Sequence, residues 1–408
     1  MSRDGNGREE SAAPWLAKAR ALKPILEAAA PRIEAACALP ADVLDALHQA
    51  QLFRMLLPRS FGGGELDPAS FARVVAAVAE GDASVAWCIG QNSGCSMAAA
   101  YMDPASAREV FGGPRAVVAW GFPLGPQCRA VPVEGGYRVS GTWAFASGNR
   151  HSTWLGGHCQ ECDANGTPLL HADGRVRERT MLFPRVEADV RDSWDVVGLR
   201  GTGSDTYSVK DLFVPRQYTV ARDQQLTADE VGEAEAERRE GGTLYRFSTM
   251  NLYAAGFAGV ALGIARAALD AFISLATSKT PSGTRVALRD NHVIQARIAL
   301  SEAKLGSSAR WLEHVLGEAW HDVSVSPRIS FEHRIKIRLA STYAIHEARE
   351  VVETAYAEAG ATAIFLSNPF ERRLRDVNTV SQQVQGSSIH FQTVGQYFLG
   401  LTPSARFL

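Results

Sequence analysis

Several residues of this 408-residue chain have types and spacings that could do chemistry. Cys159 and Cys162 form a C-x-x-C beside His158, which is half of a zinc site. A structural zinc needs four ligands, and no second C-x-x-C or H-x-x-x-H pair follows, so these read as free thiols at a strand end. Glu318 and His321 have the E-x-x-H spacing used on helices by carboxylate-bridged di-iron bundles. Those sites need a second such pair and two further Glu, which the chain lacks, so a solvated helix face is the better reading. His333 and His346 stand alone on helical stretches. Gly198, Gly201 and Gly203 lie between strand-like runs with no helix after them, whereas a dinucleotide fingerprint requires strand, turn and helix. Neither a GxxxxGK[ST] phosphate loop nor a GxSxG nucleophile elbow occurs. No metal site is expected.

The elements that must position any site fall in three textures. A polar stretch at 1–13 reads as a disordered tail. From 14 to 115 the pattern is helical, with apolar residues at three and four spacings such as Val43, Leu44 and Leu47. At 116–221 alternation and β-branched or aromatic residues take over, in runs at 117–122, 137–145, 180–183 and 207–214, with Gly135-Gly136 as a hairpin turn. This reads as a middle antiparallel β domain. Residues 222–242, rich in Glu, Gln and Gly, read as a linker or flap. From 243 to 408 the chain is helical again, with stretches expected near 253–274, 290–319, 330–359 and 381–399. Gly256, Gly259 and Gly263 in the first of these allow close helix approach. Helices, then strands, then helices is not the alternation of a doubly wound sheet. The fold class expected is α+β, mainly α, with an N-terminal helical domain, the β domain and a C-terminal helical bundle.

Composition narrows the function. With 42 basic against 44 acidic side chains the formal net charge is −2, which gives no single-signed field for coating nucleic acid. The most apolar stretch, 256–276, carries Arg266 and Asp270, and the N-terminus has no apolar signal core, so a cytoplasmic protein without a membrane partner is expected. Six Cys in the whole chain argue against a disulfide scaffold.

Two segments go further: GYRVSGTWAFASG at 136–148, and WDVVGLRGTGSD at 194–205 leading into VKDLFVP at 209–215. Together with LGIARAA at 262–268 and Arg375-Asp376, they resemble the acyl-CoA dehydrogenase superfamily, most closely its flavin-dependent monooxygenase branch, the oxygenase components of two-component hydroxylases. That resemblance covers essentially the whole chain from Pro14. It implies a four-helix bundle at the C-terminus, a homotetramer, and reduced FMN or FAD, the choice left open, as co-substrate from a separate flavin reductase. It implies oxygenation of a small aromatic or heteroatom-containing substrate by O2 through a flavin C4a-hydroperoxide. The alternative is an acyl-CoA dehydrogenase or related oxidase. Dehydrogenases commonly carry a Glu-Gly-Thr base after the Arg-Asp pair, where this chain has Gln385-Gly386-Ser387, and an amide cannot act as a general base.

Site residues follow from the resemblance. Ser147, beside Gly148, matches the serine near flavin N5. The family histidine after the Arg-Asp pair is replaced by Gln383, and His390 lies seven residues on, two turns further if one helix spans both. Gln383 or His390 would then supply the catalytic donor. Trp120, Phe122, Trp143 and Phe145 could wall the isoalloxazine, the alternative for the aromatics being β-core packing. The basic loop at 277–289 would hold flavin phosphate, with Arg285 chosen and Ser278 and Lys279 as helpers; Arg375 either contacts cofactor or forms a salt bridge. Trp87, Gln91 and Asn92 are the substrate-pocket candidates.

Overall fold

The computed structural model describes residues 3–172, 174–221, 238–403 and 408. Five helices come first: α1 (Arg3–Ala36), α2 (Ala41–Gln49), α3 (Pro68–Ala79), α4 (Ala83–Ser96) and α5 (Pro104–Phe111). Helix α1 already runs from Arg3, where composition suggests a disordered tail to residue 13; fully buried Ala12 anchors that end to the core. Helices α3 and α4 start where acidic caps dictate. Asp67 accepts the N–H groups of Ala69 and Ser70, with Pro68 at the first helical position, and Asp82 accepts that of Val85.

Nine strands follow: β1 (Val118–Trp120), β2 (Phe122–Pro123), β3 (Arg129–Val133), β4 (Gly136–Ala144), β5 (Trp154–Glu161), β6 (Glu178–Pro184), β7 (Asp189–Arg191), β8 (Thr206–Pro215) and β9 (Thr219–Ala221). The main order is β7-β8-β4-β3-β5-β6-β9. The hairpin expected at Gly135 joins β3 to β4, and Gly135 takes φ +75°, which a side chain would oppose. Pairing is mainly antiparallel, but β5 runs parallel to both β1 and β3, so the sheet is mixed rather than purely antiparallel.

Of the expected linker, 222–237 lies outside the described residues. The chain resumes with Arg239 and Glu240 donating backbone hydrogen bonds to the Ala100 carbonyl. Among the described residues, five helices follow: α6 (Thr249–Ser278), α7 (His292–Val325), α8 (Phe331–Ala359), α9 (Phe370–Gln382) and α10 (Ile389–Phe398). Helix α6 begins with a Ser248–Asn251 capping box. It is long and apolar enough to cross a membrane, yet most of its residues are buried against its neighbours. Its glycines set that contact: a Cβ on Gly259 or Gly263 would come within 2.5 or 2.2 Å of the carbonyls of Ala72 and Ala76 on α3. The stretch at 381–399 is not one helix. Gln383 turns extended, its side chain accepts the N–H of Gln385, and Gly386 packs against Ser381, which ends α9 before α10 begins. The two-turn relation between Gln383 and His390 therefore does not hold.

Candidate active site

Where the end of β4 meets α4, α6 and the turn after α9 there is a cavity of about 1470 Å³. Trp87 and Gln91 of α4, Met250, Tyr253 and Phe257 of α6, Trp120, Phe122, Phe145 and Ser147 of the β unit, and Gln383 and Gln385 all line it. Three aromatic rings are stacked along one wall. Trp87 lies 3.9 Å from Phe257 at 6° between planes, and Tyr253 lies 5.6 Å from Phe257 at 5°. The close α3–α6 packing fixes α6, and with it this stack.

Ser147 sits on a tightly held turn. Phe145 before it has φ +60°, a strained value for a bulky residue, and is exposed, edge-on to Trp194. Backbone bonds from Ala146 to Asp205 O and from Gly148 to Thr202 O fasten the turn to the 199–205 loop. Gly148, at φ +80°, passes so close to Asn92 that a Cβ would lie 2.5 Å from Oδ1. The buried Ser147 Oγ accepts the indole N–H of Trp87 at 2.9 Å and is 2.7 Å from Ser204 Oγ. Ser204 in turn is 2.8 Å from Thr202 Oγ1, which donates to Leu199 O at 2.8 Å.

Gln383 and His390 part company. Gln383 Oε1 accepts the backbone N–H of Gln385 at 2.8 Å, which leaves Nε2, buried and with no hydrogen-bond partner, at the cavity wall. His390 is buried behind the turn and donates Nε2–H to Val384 O at 2.6 Å; burial, then the nearby Arg338, push its imidazole down to about 4. It is not on the cavity wall.

The remaining expected residues divide in the same way. Trp143 is fully buried in the β core, stacked on Tyr207 and donating to His158 O, because inward positions on β4 face the sheet interior. Asn92 does not line this cavity; its Nδ2 clamps the carbonyls of Val118 and Ser147, and His151 Nε2 donates to its Oδ1. Arg375 forms ion pairs with Glu371 and Glu34 and donates to Val197 O, so it braces the 194–199 loop. Ser278 bonds only its own helix, at Leu275 O, Lys279 caps α8 at Ala359 O, and Arg285 is exposed on the 281–287 loop. None of these lines this chain's cavity.

Sequence reasoning missed several groups. Tyr253 and Phe257 are four apart on α6, a spacing that signals one face, but the glycine stripe drew the reading. His158, on the wall with Nδ1 2.8 Å from Thr180 Oγ1 and its ring 5.1 Å from Trp120, was weighed only as a zinc ligand. Arg338 is buried and donates to Gln385 Oε1; burial holds its guanidinium down to about 9. Among the described residues no group of three or more His, Cys, Asp or Glu could hold a metal.

The comparisons match this architecture end to end. Residues 17–108 match the acyl-CoA dehydrogenase N-terminal domain and residues 255–387 its C-terminal domain. The chain belongs to the acyl-CoA dehydrogenase superfamily. Within that superfamily it is 29% identical over 369 residues to indole-3-acetate monooxygenase of Pseudomonas putida, covering 90% of this chain and 89% of that one. It is 26% identical over 394 residues to the oxygenase component of FADH2-dependent resorcinol hydroxylase from Rhizobium sp., covering 94% and 93%. XiaF from Streptomyces sp., solved with FADH2 and glycerol, superposes with a TM-score of 0.89 over 98% of this chain and 99% of that one, at 23% identity. The first of these relatives is named a monooxygenase and the second an FADH2-dependent hydroxylase, and this superfamily member is a flavin-dependent oxidoreductase.

Proposed function

We propose that the chain is the oxygenase component of a two-component, reduced-flavin-dependent monooxygenase acting on a small aromatic substrate. The observation that carries this is the cavity at the β4–α9 junction, which presents a serine hydroxyl and an unpartnered amide N–H in largely apolar surroundings. At about 1470 Å³ it exceeds the roughly 300–1,000 Å³ of an ordinary ligand pocket, so a tricyclic ring and a second small ring fit together. The donor set suits flavin: Ser147 would take a hydrogen bond at the ring edge, Trp120, Phe122 and Phe145 would wall it, and Gln383 Nε2 is an unmet donor on the same cavity. When bound, reduced flavin supplies the electrons that activate O2.

The chain's own residues do the rest. Gln383, its orientation locked by Gln385 N–H, holds a proton toward oxygen atoms in the cavity. The Trp87–Phe257–Tyr253 stack gives a planar wall for an aromatic substrate and keeps water out. Arg338 behind Gln385 gives the cavity floor a positive field, which favours an anionic ring or phenolate. The dehydrogenase alternative needs a carboxylate base. Of the two carboxylates on the cavity wall, Glu161 is ion-paired to Arg177 and Arg179, and Glu178 stands opposite Gln160 across β5–β6, so both belong to the β5–β6 pair rather than to the Ser147 turn. A cytoplasmic homotetramer served by a separate flavin reductase completes the proposal; in it the exposed Arg285 loop would reach a neighbour's flavin. The test is anaerobic titration: colourless protein that takes up reduced flavin supports the reading, and yellow protein bleached by an acyl-CoA refutes it.

A further inference from the structure

Resting on that reading, we propose that Thr202 and Ser204 are positioning residues that fix the direction of the Ser147 hydroxyl, so that the site senses whether flavin N5 carries a hydrogen. The direction follows from counting protons. Thr202 Oγ1 lies 2.8 Å from the Leu199 carbonyl, which has none to give, so Thr202 donates there. Ser204 Oγ lies 2.8 Å from Thr202 Oγ1, whose proton is committed, so Ser204 donates to Thr202. Ser147 Oγ lies 2.7 Å from Ser204 Oγ, and by the same step Ser147 donates to Ser204. The indole of Trp87, a donor only, takes one lone pair of Ser147 at 2.9 Å. A hydroxyl has one proton and two acceptor positions. Ser147 is left on the cavity wall with one lone pair and no proton.

Reversing any link would set two lone pairs against each other inside the protein, where an unmet polar contact is costly. The far end of the chain is itself anchored. Leu199 is held in the left-handed region at φ +50°, and Trp194 Nε1 also donates to its carbonyl at 3.2 Å. Reduced flavin has an N5–H that donates; oxidised flavin has a bare N5 that accepts. An obligate acceptor at Ser147 bonds the first and opposes the second. The hydroxyl relay thus discriminates redox state through residues that need not touch the cofactor at N5.

The experiment measures Kd for reduced and oxidised FMN and FAD, anaerobically, by calorimetry on the full-length protein and its variants. Ser204→Ala frees the Ser147 proton to turn toward N5. The ratio of oxidised to reduced Kd is expected to fall about tenfold, the weight of roughly one net hydrogen bond, mostly through tighter oxidised-flavin binding. Thr202→Val should act the same way through Ser204, and Thr202→Ser, which keeps the hydroxyl, should restore the native ratio. Equal weakening of both redox states, or an unchanged ratio, overturns the inference while the flavin reading stands. Native protein that binds flavin in neither state overturns both.

Discussion

Asp376 Oδ1 accepts the backbone N–H of Leu199 at 2.7 Å, which ties α9 to the loop that carries Thr202 and Ser204. The carboxyl is buried, and desolvation pushes it up to about 7, aided by Asp82 and opposed by the Leu199 N–H and by Arg372 and Arg375. The folded state therefore favours the protonated form. That contribution is full below the ordinary value of 3.8 and is lost as pH rises through about 7. Asp376→Asn keeps an acceptor but does not titrate. Its thermal midpoint should fall less than the native protein's between pH 4 and 8, read by differential scanning calorimetry. Asp376→Leu should cost about 1–3 kcal/mol by leaving the Leu199 N–H unmet.

Gln383→Leu removes the unpartnered N–H without adding volume. Product formation should drop by about 10²–10³-fold, the usual weight of one preorganised donor, while reduced flavin still binds. Gln383→His, which retains a ring N–H, should keep part of the activity. Loss of flavin binding in the leucine variant would mean that Gln383 holds the cofactor instead.

Trp87 both stacks on Phe257 and donates to Ser147. Trp87→Phe keeps most of the stack and removes the N–H. Oxygen uptake should continue, with a larger share ending as hydrogen peroxide and less as product. Trp87→Ala should also destabilise the fold by about 3–5 kcal/mol, as large core truncations do.

His390 is neutral across the working range, since burial and Arg338 hold it down to about 4. Its stabilising effect is present above the ordinary 6.5 and is lost as pH falls through about 4. The pH profile of turnover between 5 and 8 should carry no inflection from it, and His390→Gln should leave the shape of that profile unchanged. A step near 6.5 that disappears in the variant would make His390 a base in the reaction.

The fold was legible because its signals are local. Acidic caps at Asp67 and Asp82, the Gly135 turn and the switch in apolar period each act over a few residues. The mixed pairing of β5 was not, because parallel neighbours are chosen by long-range contacts. That Ser147 lies at the cavity could be read from its motif, whereas Trp143, four residues earlier, faces the sheet interior from within β4 while Ser147 sits on the turn beyond the strand's end. That His390 lies off the cavity wall could not be read from the sequence, because the break after Gln382 depends on one side-chain cap. The Ser147–Ser204–Thr202 relay joins segments more than fifty residues apart, so no spacing reveals it.

Oxygen-18 tracing tests the central claim most directly. The protein is given chemically reduced flavin, labelled O2 and a panel of small phenols and indoles, and products are read by mass spectrometry. One labelled oxygen atom should enter an aromatic product in the native protein and be lost in Ser147→Ala. Oxygen that goes only to peroxide in every case, at the rate of free flavin, would contradict a monooxygenase.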